Sequence, residues 1–217
     1  MSNPDSFIDE VTEEVRRDRL FALLRRYGWI AVLLVLMIVA GAAWNEWSKA
    51  RETAQARALG DAILAAMEKE TPEERVQALE KIDAGGEAAA LARLLAAGEA
   101  VTAGDSATAA EKLKQVAGNA ALPTPYRQLA TLKWVMITGD ETPVGQRRAA
   151  LEPLTEAGAP FRALALEQLA LLKVEEGDPD AAIELLQQAR QTSTATAGLR
   201  QRVTRLIVAL GGRPDGP

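Results

Sequence analysis

The stretch that decides the fold runs from Leu169 to Ala189 and reads Leu169-Ala-Leu-Leu-Lys-Val-Glu-Glu-Gly-Asp-Pro-Asp-Ala-Ala-Ile-Glu-Leu-Leu-Gln-Gln-Ala189. Gly177 is suited to end one helix, Asp178 to cap the next, and Pro179 to fill the first helical position, whose N–H has no intrahelical partner. Small and large apolar residues flank the turn on both sides: Leu169, Ala170, Ala182, Leu186 and Ala189. The stretch therefore predicts two packed helices joined by a tight turn.

The same turn recurs twice upstream, at Gly104-Asp105 and Gly139-Asp140, so the three turns are almost evenly spaced along the chain. A helix–turn–helix unit of about 34 residues is typical of tetratricopeptide-like repeats, and three units are enough to bury a continuous core. Small and large residues also flank the first turn: Ala97, Ala109, Leu113 and Val116. The middle unit departs from the pattern, since Val144 replaces a small residue and Leu151 and Leu154 suggest a shifted register.

The chain from residue 48 onwards is rich in Ala and Leu and lacks alternating β-branched runs, which indicates an all-helical region. Thr71-Pro72, Thr124-Pro125 and Thr142-Pro143 repeat the pairing of a cap with Pro. Helices are expected over about 48–68, 72–84, 87–103, 106–119, 124–138, 143–157, 160–176, 179–192 and 196–210. The fold class predicted is all-α: a tetratricopeptide-like α-solenoid of helical hairpins that follows one N-terminal transmembrane helix.

The last helix has one apolar stripe and one polar face. The stripe consists of Leu199, Val203, Leu206, Ile207 and Leu210, and the other face holds Gln201, Arg202 and Arg205. This pattern predicts a C-terminal capping helix, because the end of a solenoid needs an apolar inner and a polar outer face.

Residues 27–47 form the predicted transmembrane helix, since no charge occurs between Arg26 and Glu46 and about 20 apolar residues cross a bilayer. Aromatic residues mark both ends of the span, as membrane interfaces favour: Tyr27, Trp29, Trp44 and Trp47. A cleaved signal peptide is the alternative, because Ala40-Gly41-Ala42 has the form that signal peptidase accepts. The uncleaved anchor is the preferred interpretation, and the domains predicted are a cytoplasmic tail (1–26), the span and a periplasmic domain (48–217).

Positive charges near the span set the expected orientation. Five arginines precede the span (Arg16, Arg17, Arg19, Arg25 and Arg26), and three cations follow it (Lys49, Arg51 and Arg57). The bias places the N-terminus in the cytoplasm of a bacterium, the span in the inner membrane and the larger domain in the periplasm. In the tail, Phe7, Val11 and Val15 recur at helical spacing, so the tail either is drawn to anionic lipid or docks on a membrane complex.

Composition argues against most chemistry. The chain has no His and no Cys, so the commonest general base, thiol nucleophile and metal ligands are missing, and no phosphate-binding or nucleophile motif occurs. The carboxylates of Glu73-Glu74 and Glu175-Glu176 suggest solvated helix faces. A net charge of −5 does not suit a nucleic-acid binder. We therefore expect no enzyme activity, cofactor, metal or small-molecule substrate.

The tail Phe7-Ile-Asp-Glu-Val-Thr-Glu-Glu-Val-Arg-Arg-Asp18, followed by Arg25-Arg-Tyr-Gly-Trp29, is the most particular sequence. With the span and repeats behind it, it resembles the bacterial YfgM family, ancillary subunits of the SecYEG translocon. The resemblance implies a single-pass inner-membrane protein that associates with the translocon and with periplasmic chaperones or unfolded clients. The alternatives are an accessory subunit of another inner-membrane complex, serving respiration or the cell envelope, and a cleaved, soluble periplasmic scaffold.

A partner surface is predicted by transferring the repeat pattern to the first helix of each hairpin. The positions are Leu91, Leu94 and Val101, then Tyr126, Leu129, Lys133 and Met136, then Leu164, Glu167, Leu171 and Val174. They form either a groove for extended protein segments or part of the core of a solenoid that closes on itself. The core is the preferred interpretation, because large exposed apolar patches are rare.

Overall fold

The structure, a computed structural model, describes residues 4–213, with all side chains in that range other than those of 4–24, 28, 31 and 140. Its α-helices are α1 (Pro4–Met67), α2 (Pro72–Glu80), α3 (Gly86–Thr102), α4 (Ser106–Ala117), α5 (Thr124–Thr138), α6 (Val144–Leu151), α7 (Arg162–Glu175), α8 (Pro179–Gln191) and α9 (Ala197–Ala209). Short 3-10 helices cover Gly139–Glu141 and Glu152–Thr155. No strand occurs between residues 4 and 213, so the all-helical prediction is confirmed.

The chain divides into two compact units, the first ending at Ala58 and the second beginning at Leu59. In the first unit, the apolar side chains from Val32 to Val39 are 45–62% exposed. The segment Val32–Met67 near the N-terminus is long and apolar enough to cross a membrane. It overlaps the predicted span over residues 32–47.

In the second unit each helix packs on the next, and α3 also contacts α5, α5 contacts α7, and α7 contacts α9. One core cluster runs from α2 to α7 and centres on Ala90, Val116 and Leu151, none of which is exposed. A second joins α7, α8 and α9 around Ala182 and Val203. Because Leu164 packs against both clusters, α7 links them.

The turns at Gly104 and Gly177 have nearly the same backbone. Their φ angles are +79° and +78°, a left-handed conformation that glycine adopts without steric cost. The following Asp then caps the next helix: Asp105 Oδ1 accepts from the Thr108 N–H at 2.9 Å and Asp178 Oδ1 from the Ala181 N–H at 3.1 Å. One Gly-Asp dipeptide thus ends one helix and begins another, as the sequence predicts.

The middle hairpin is different, and the prediction of two helices of similar length is wrong there. Gly139 has φ +40° and opens a 3-10 turn rather than a direct cap. Helix α6 has only 8 residues and passes into a 3-10 helix that contains Pro153. Proline has no N–H to donate, so the predicted helix over 143–157 cannot continue as an α-helix. The 3-10 turn keeps Leu154 buried beside Leu151.

Two of the predicted Thr-Pro caps are also wrong. Thr71 accepts a hydrogen bond from the Glu74 N–H at 3.2 Å and caps α2, as expected. Helices α5 and α6, however, have Pro123 and Pro143 at their N-cap positions and no side-chain cap. A Thr-Pro pair predicts that the helix begins at the proline. Helix α5 begins one residue before that position and α6 one residue after it, so neither threonine is an N-cap.

Candidate protein-binding surface

The predicted partner residues lie on α3, α5 and α7, the helices that contact one another in alternation along the chain. The N-terminal ends of α3 and α5 lie together, where a hydrogen bond to Glu87 of α3 raises the pKa of Tyr126 of α5. Thr194, just before α9, accepts from the Ala163 N–H of α7 at 3.4 Å.

The positions in the N-terminal halves are largely packed. Leu91 is exposed, but Leu94, Tyr126, Leu129 and Leu164 are half-buried and Glu167 is buried. Leu94, Tyr126 and Leu164 pack against the core cluster of α2–α7. These residues stabilise the contacts between neighbouring helices.

The positions in the C-terminal halves are open. Lys133 and Leu171 are exposed, and so are Val101, Met136 and Val174, at 45%, 57% and 41%. The last three each lie three residues before the turn glycine of their hairpin. The predicted set thus divides at mid-helix into a packed half and an exposed half.

A fourth residue belongs to this series and was missed by sequence reasoning. Val208 of α9 is 57% exposed and lies three residues before Gly211, whose φ is +85°. The carbonyls of Val101, Val174 and Val208 each accept from the corresponding glycine N–H at 3.0 Å. The signal was present, because Gly211 follows Gly177 at almost the spacing that separates the earlier turn glycines. We call Val101, Met136, Val174 and Val208 the apolar ledge.

Two ledge residues have a positive charge one helical turn before them. One helical turn before the ledge, the successive helices carry Gly98, Lys133, Leu171 and Arg205. Lys133 and Arg205 are exposed and have no ion-pair partner among the described side chains. A Cβ added to Gly98 would meet nothing within 4 Å, so the surface is also open at α3. This arrangement suits a chain segment that presents apolar side chains and carboxylates.

Glu167, although predicted to line a groove, is 3% exposed and binds Arg202 of α9 through two hydrogen bonds. The Nε–Oε1 and Nη2–Oε2 distances are 2.5 and 2.6 Å, the two-pronged geometry that makes Arg–carboxylate pairs strong. The hydrogen bonding of the Arg202 guanidinium to the Glu167 carboxylate raises the pKa of Arg202. The pair holds α9 on α7, so the Glu167 carboxylate stabilises the packing of these helices and does not line a partner surface.

Other buried ion pairs were also missed. Arg147 of α6, 5% exposed, donates to both carboxylate oxygens of Glu175 at 2.6 and 2.8 Å and to the Thr142 carbonyl at 2.9 Å. Arg148 of α6 also pairs with Glu176, through one carboxylate oxygen and at a more exposed site. Glu175 and Glu176 are exposed, as the sequence predicts, and in addition the arginines of the preceding helix bind both carboxylates.

A cleft of about 200 Å³ lies between α2, α3 and α4. Its floor is made of small side chains such as Ala89 and Ala92, and one wall is the ion pair between buried Lys112 and Glu80. That pair ties α4 to α2 across 32 residues of sequence. The cleft is thus bounded by a contact that stabilises the first hairpins.

The predicted membrane-interface residues lie exposed along α1: Arg25, Arg26, Tyr27, Trp29, Trp44 and Trp47. The guanidinium of Arg26 lies 5.8 Å from the centre of the Tyr27 ring, a cation–π distance. The side chains of Phe7, Val11, Val15 and the tail arginines Arg16, Arg17 and Arg19 lie outside the described residues.

Comparisons with known proteins agree with the repeat geometry. The tetratricopeptide repeat-like domain family matches residues 24–160, a range that takes in the end of the tail, the predicted span and the rest of α1, then α2–α6 and the 3-10 turn after them, but not α7–α9. No curated protein and no solved structure matches the chain. Domains of this kind are generally non-catalytic scaffolds for protein–protein interaction. Since the match covers well over half of the chain, the protein belongs to the tetratricopeptide repeat-like domain family.

Proposed function

We propose that the protein is a membrane-anchored scaffold that binds other proteins through the apolar ledge. The observation that carries the proposal is the recurrence of an exposed apolar residue at the same position of α3, α5, α7 and α9. A single exposed apolar side chain is common on protein surfaces, whereas exposed apolar side chains that recur at the same position of successive repeats are typical of a binding surface. Lys133 and Arg205 favour a partner segment with carboxylates beside its apolar residues.

The helices that follow Leu59 form an α-solenoid in this proposal. Two features support it: each helix packs on its neighbours in sequence, and alternate helices contact one another from α3 to α9. Helix α9 is the capping helix, with Leu199, Val203 and Ile207 buried on one side and Gln201 and Arg205 exposed on the other. Such an end keeps a stack of repeats soluble.

Residues 27–47 anchor the scaffold in the bacterial inner membrane, with the N-terminus in the cytoplasm and residues 48–217 in the periplasm. The exposed apolar side chains of Val32–Val39 and the aromatic residues at both ends of the span support the anchor. The orientation follows from the arginines that precede the span. Tethering raises the effective concentration of a weak binding surface beside the membrane, so modest affinity is sufficient.

The partner proposed is the SecYEG translocon together with periplasmic chaperones or unfolded clients. This part rests on the resemblance of the tail and span to the YfgM family. The ledge suits the role, because an emerging chain presents apolar residues that folded proteins bury. Another inner-membrane complex, respiratory or cell-envelope, is the competing assignment, and the two differ only in the proteins that the scaffold binds.

The test is in-cell crosslinking and mass spectrometry of the full-length protein in its native membrane. We expect SecY, SecE or SecG and chaperones to be recovered, and Met136→Glu to reduce chaperone or client crosslinks at least fivefold. Leu64→Glu is the matched control, because Leu64 is exposed to a similar extent but lies on α1, away from the ledge. Equal loss in both variants would refute the ledge, and recovery of a different complex alone would refute the translocon assignment.

The cleaved form is tested by N-terminal sequencing of the same material. The anchor predicts residues 1–42 in the mature protein. A mature chain that starts at Ala43 would replace the anchored scaffold with a soluble one and leave the ledge unaffected.

A further inference from the structure

One face of α1, at the end of the predicted span, gathers two indoles and a guanidinium. The ring centres of Trp44 and Trp47 lie 5.4 Å apart with a 48° angle between their planes. The guanidinium carbon of Arg51 lies 5.6 Å from the centre of the Trp47 ring. Both tryptophans are open to the surroundings, at 70% and 55% exposed.

Helix geometry keeps carboxylates away from this face. At about 100° per residue, Trp44, Trp47 and Ser48 all lie within about 60° of Arg51 around the helix axis. The nearest acidic residues, Glu46 and Glu52, lie about 140° and 100° away by the same rule. The face therefore offers indole N–H groups, a hydroxyl and a guanidinium, all donors, to a single ligand.

The face also lies at the height of the lipid headgroups if the span is 27–47. A headgroup layer is roughly 5–8 Å deep, and Trp47 and Arg51 are about 6 Å apart along the axis at about 1.5 Å per residue, so Trp47, Ser48 and Arg51 fit within it and Trp44 lies about 4.5 Å deeper. Long helical side chains lean towards the N-terminal turn, which brings the guanidinium of Arg51 back over Trp47. The donors of Trp47, Ser48 and Arg51 are thus concentrated within the layer that contains phosphate, and the indole of Trp44 lies at its inner edge.

We propose that Trp44, Trp47, Ser48 and Arg51 form a binding site for the phosphate of an anionic phospholipid in the leaflet next to residues 48–217. The inference rests on the proposed membrane anchor. An anion is favoured because Arg51 has no ion-pair partner among the described side chains. A choline headgroup is disfavoured because Arg51 already occupies a face of Trp47, where an ammonium would bind.

The test uses the full-length protein in nanodiscs of four parts phosphatidylcholine to one part phosphatidylglycerol, followed by native mass spectrometry of the lipids that stay bound. We expect the wild type to retain one more phosphatidylglycerol than Arg51→Gln, and Trp47→Ala to behave like Arg51→Gln. Arg57→Gln is the matched control, since Arg57 lies on the same helix, about 120° from Arg51, with no aromatic contact among the described residues. Arg51→Lys should retain part of the binding, because an ammonium lacks the two-pronged geometry.

Two results would overturn the site: equal loss of lipid in Arg51→Gln and Arg57→Gln, which would indicate general attraction of charge, or equal retention of phosphatidylcholine by the wild type. Displacement of the lipid by millimolar inorganic phosphate would also contradict a lipid ligand. A separate flotation assay tests the anchor. If the wild type and Arg51→Gln float equally well with vesicles, the phosphatidylglycerol that Arg51→Gln fails to retain is lost from the site and not through a weaker anchor. A wild type that does not float refutes the anchor itself.

Discussion

Removing Arg202 should destabilise α9 far more than removing Glu167. The two side chains share two hydrogen bonds of 2.5 and 2.6 Å, but the Glu167 side chain is 4% exposed and that of Arg202 is 49% exposed. In Arg202→Met the carboxylate stays buried without its partner. In Glu167→Met the guanidinium turns into water.

The magnitude follows from this asymmetry. Breaking a buried ion pair by removing one partner costs about 3–5 kcal/mol, and the lower end, about 3 kcal/mol, applies to Arg202→Met because water reaches Arg202 already. Glu167→Met should cost about 1 kcal/mol, since methionine fills the site and the freed arginine is solvated. The double variant should lie within about 1.5 kcal/mol of the wild type, because an apolar pair often replaces an ion pair without loss.

Native-state hydrogen exchange of the full-length protein in detergent measures this directly, through the amides of α9. A loss of about 3 kcal/mol increases their opening constant by about two orders of magnitude. Arg200→Met is the control, because Arg200 is exposed on the same helix and has no ion pair among the described residues. Equal costs for Arg202→Met and Glu167→Met, or a larger cost for the latter, would refute the reasoning.

Three further predictions concern helix ends and interiors. Gly98→Ala should raise the free energy of unfolding by about 0.5–1 kcal/mol, seen as a higher Tm, because the added methyl meets open space and alanine favours the helix; a lower Tm would contradict an open surface there. Asp178→Ala should cost about 1 kcal/mol in the same melt, whereas Thr124→Ala, which removes no cap, should cost less than about 0.5 kcal/mol. Hydrogen bonds from the Thr108 hydroxyl and N–H lower the pKa of Asp105. Its ionised side chain should therefore contribute fully to the free energy of unfolding above the ordinary carboxyl pKa, and this contribution should be lost as the pH falls through the lowered pKa. The Tm difference between the wild type and Asp105→Asn should therefore shrink on acidification, and a difference that grows would exclude this cause.

The parts of the fold that were predictable depend on residues close together in sequence. The caps at Thr71 and Asp178 and the turns at Gly104 and Gly177 each need three or four adjacent residues, and all four occur as expected. The failures also have local causes. Pro153 interrupts the helix predicted over 143–157, and no cap forms at the Thr-Pro pairs of α5 and α6.

The ion pairs between helices were not predictable in the same way. Arg147 and Glu175 are 28 residues apart and Arg202 and Glu167 are 35 apart, so no local pattern marks them as partners. Each half looks like the polar face of an amphipathic helix until the helices pack. Consequently Glu167 was assigned to a binding surface, although its carboxylate is fully engaged by Arg202.

The ledge residues and the core residues occupy different faces of the same helices, and this separation has a consequence for how the protein works. Each ledge residue lies in the last helical turn before a glycine, where its side chain is exposed. At Val101, Val174 and Val208 the backbone carbonyl accepts a hydrogen bond from that glycine's N–H. Buried core residues lie close beside them in sequence, such as Val135 before Met136 and Leu172 before Val174, on the packed face of the same helix. A change such as Met136→Glu therefore should alter binding with less than about 0.5 kcal/mol of destabilisation, as for an exposed surface position. Stability thus depends on the buried face of these helices, and partner choice is free to vary at the exposed ledge.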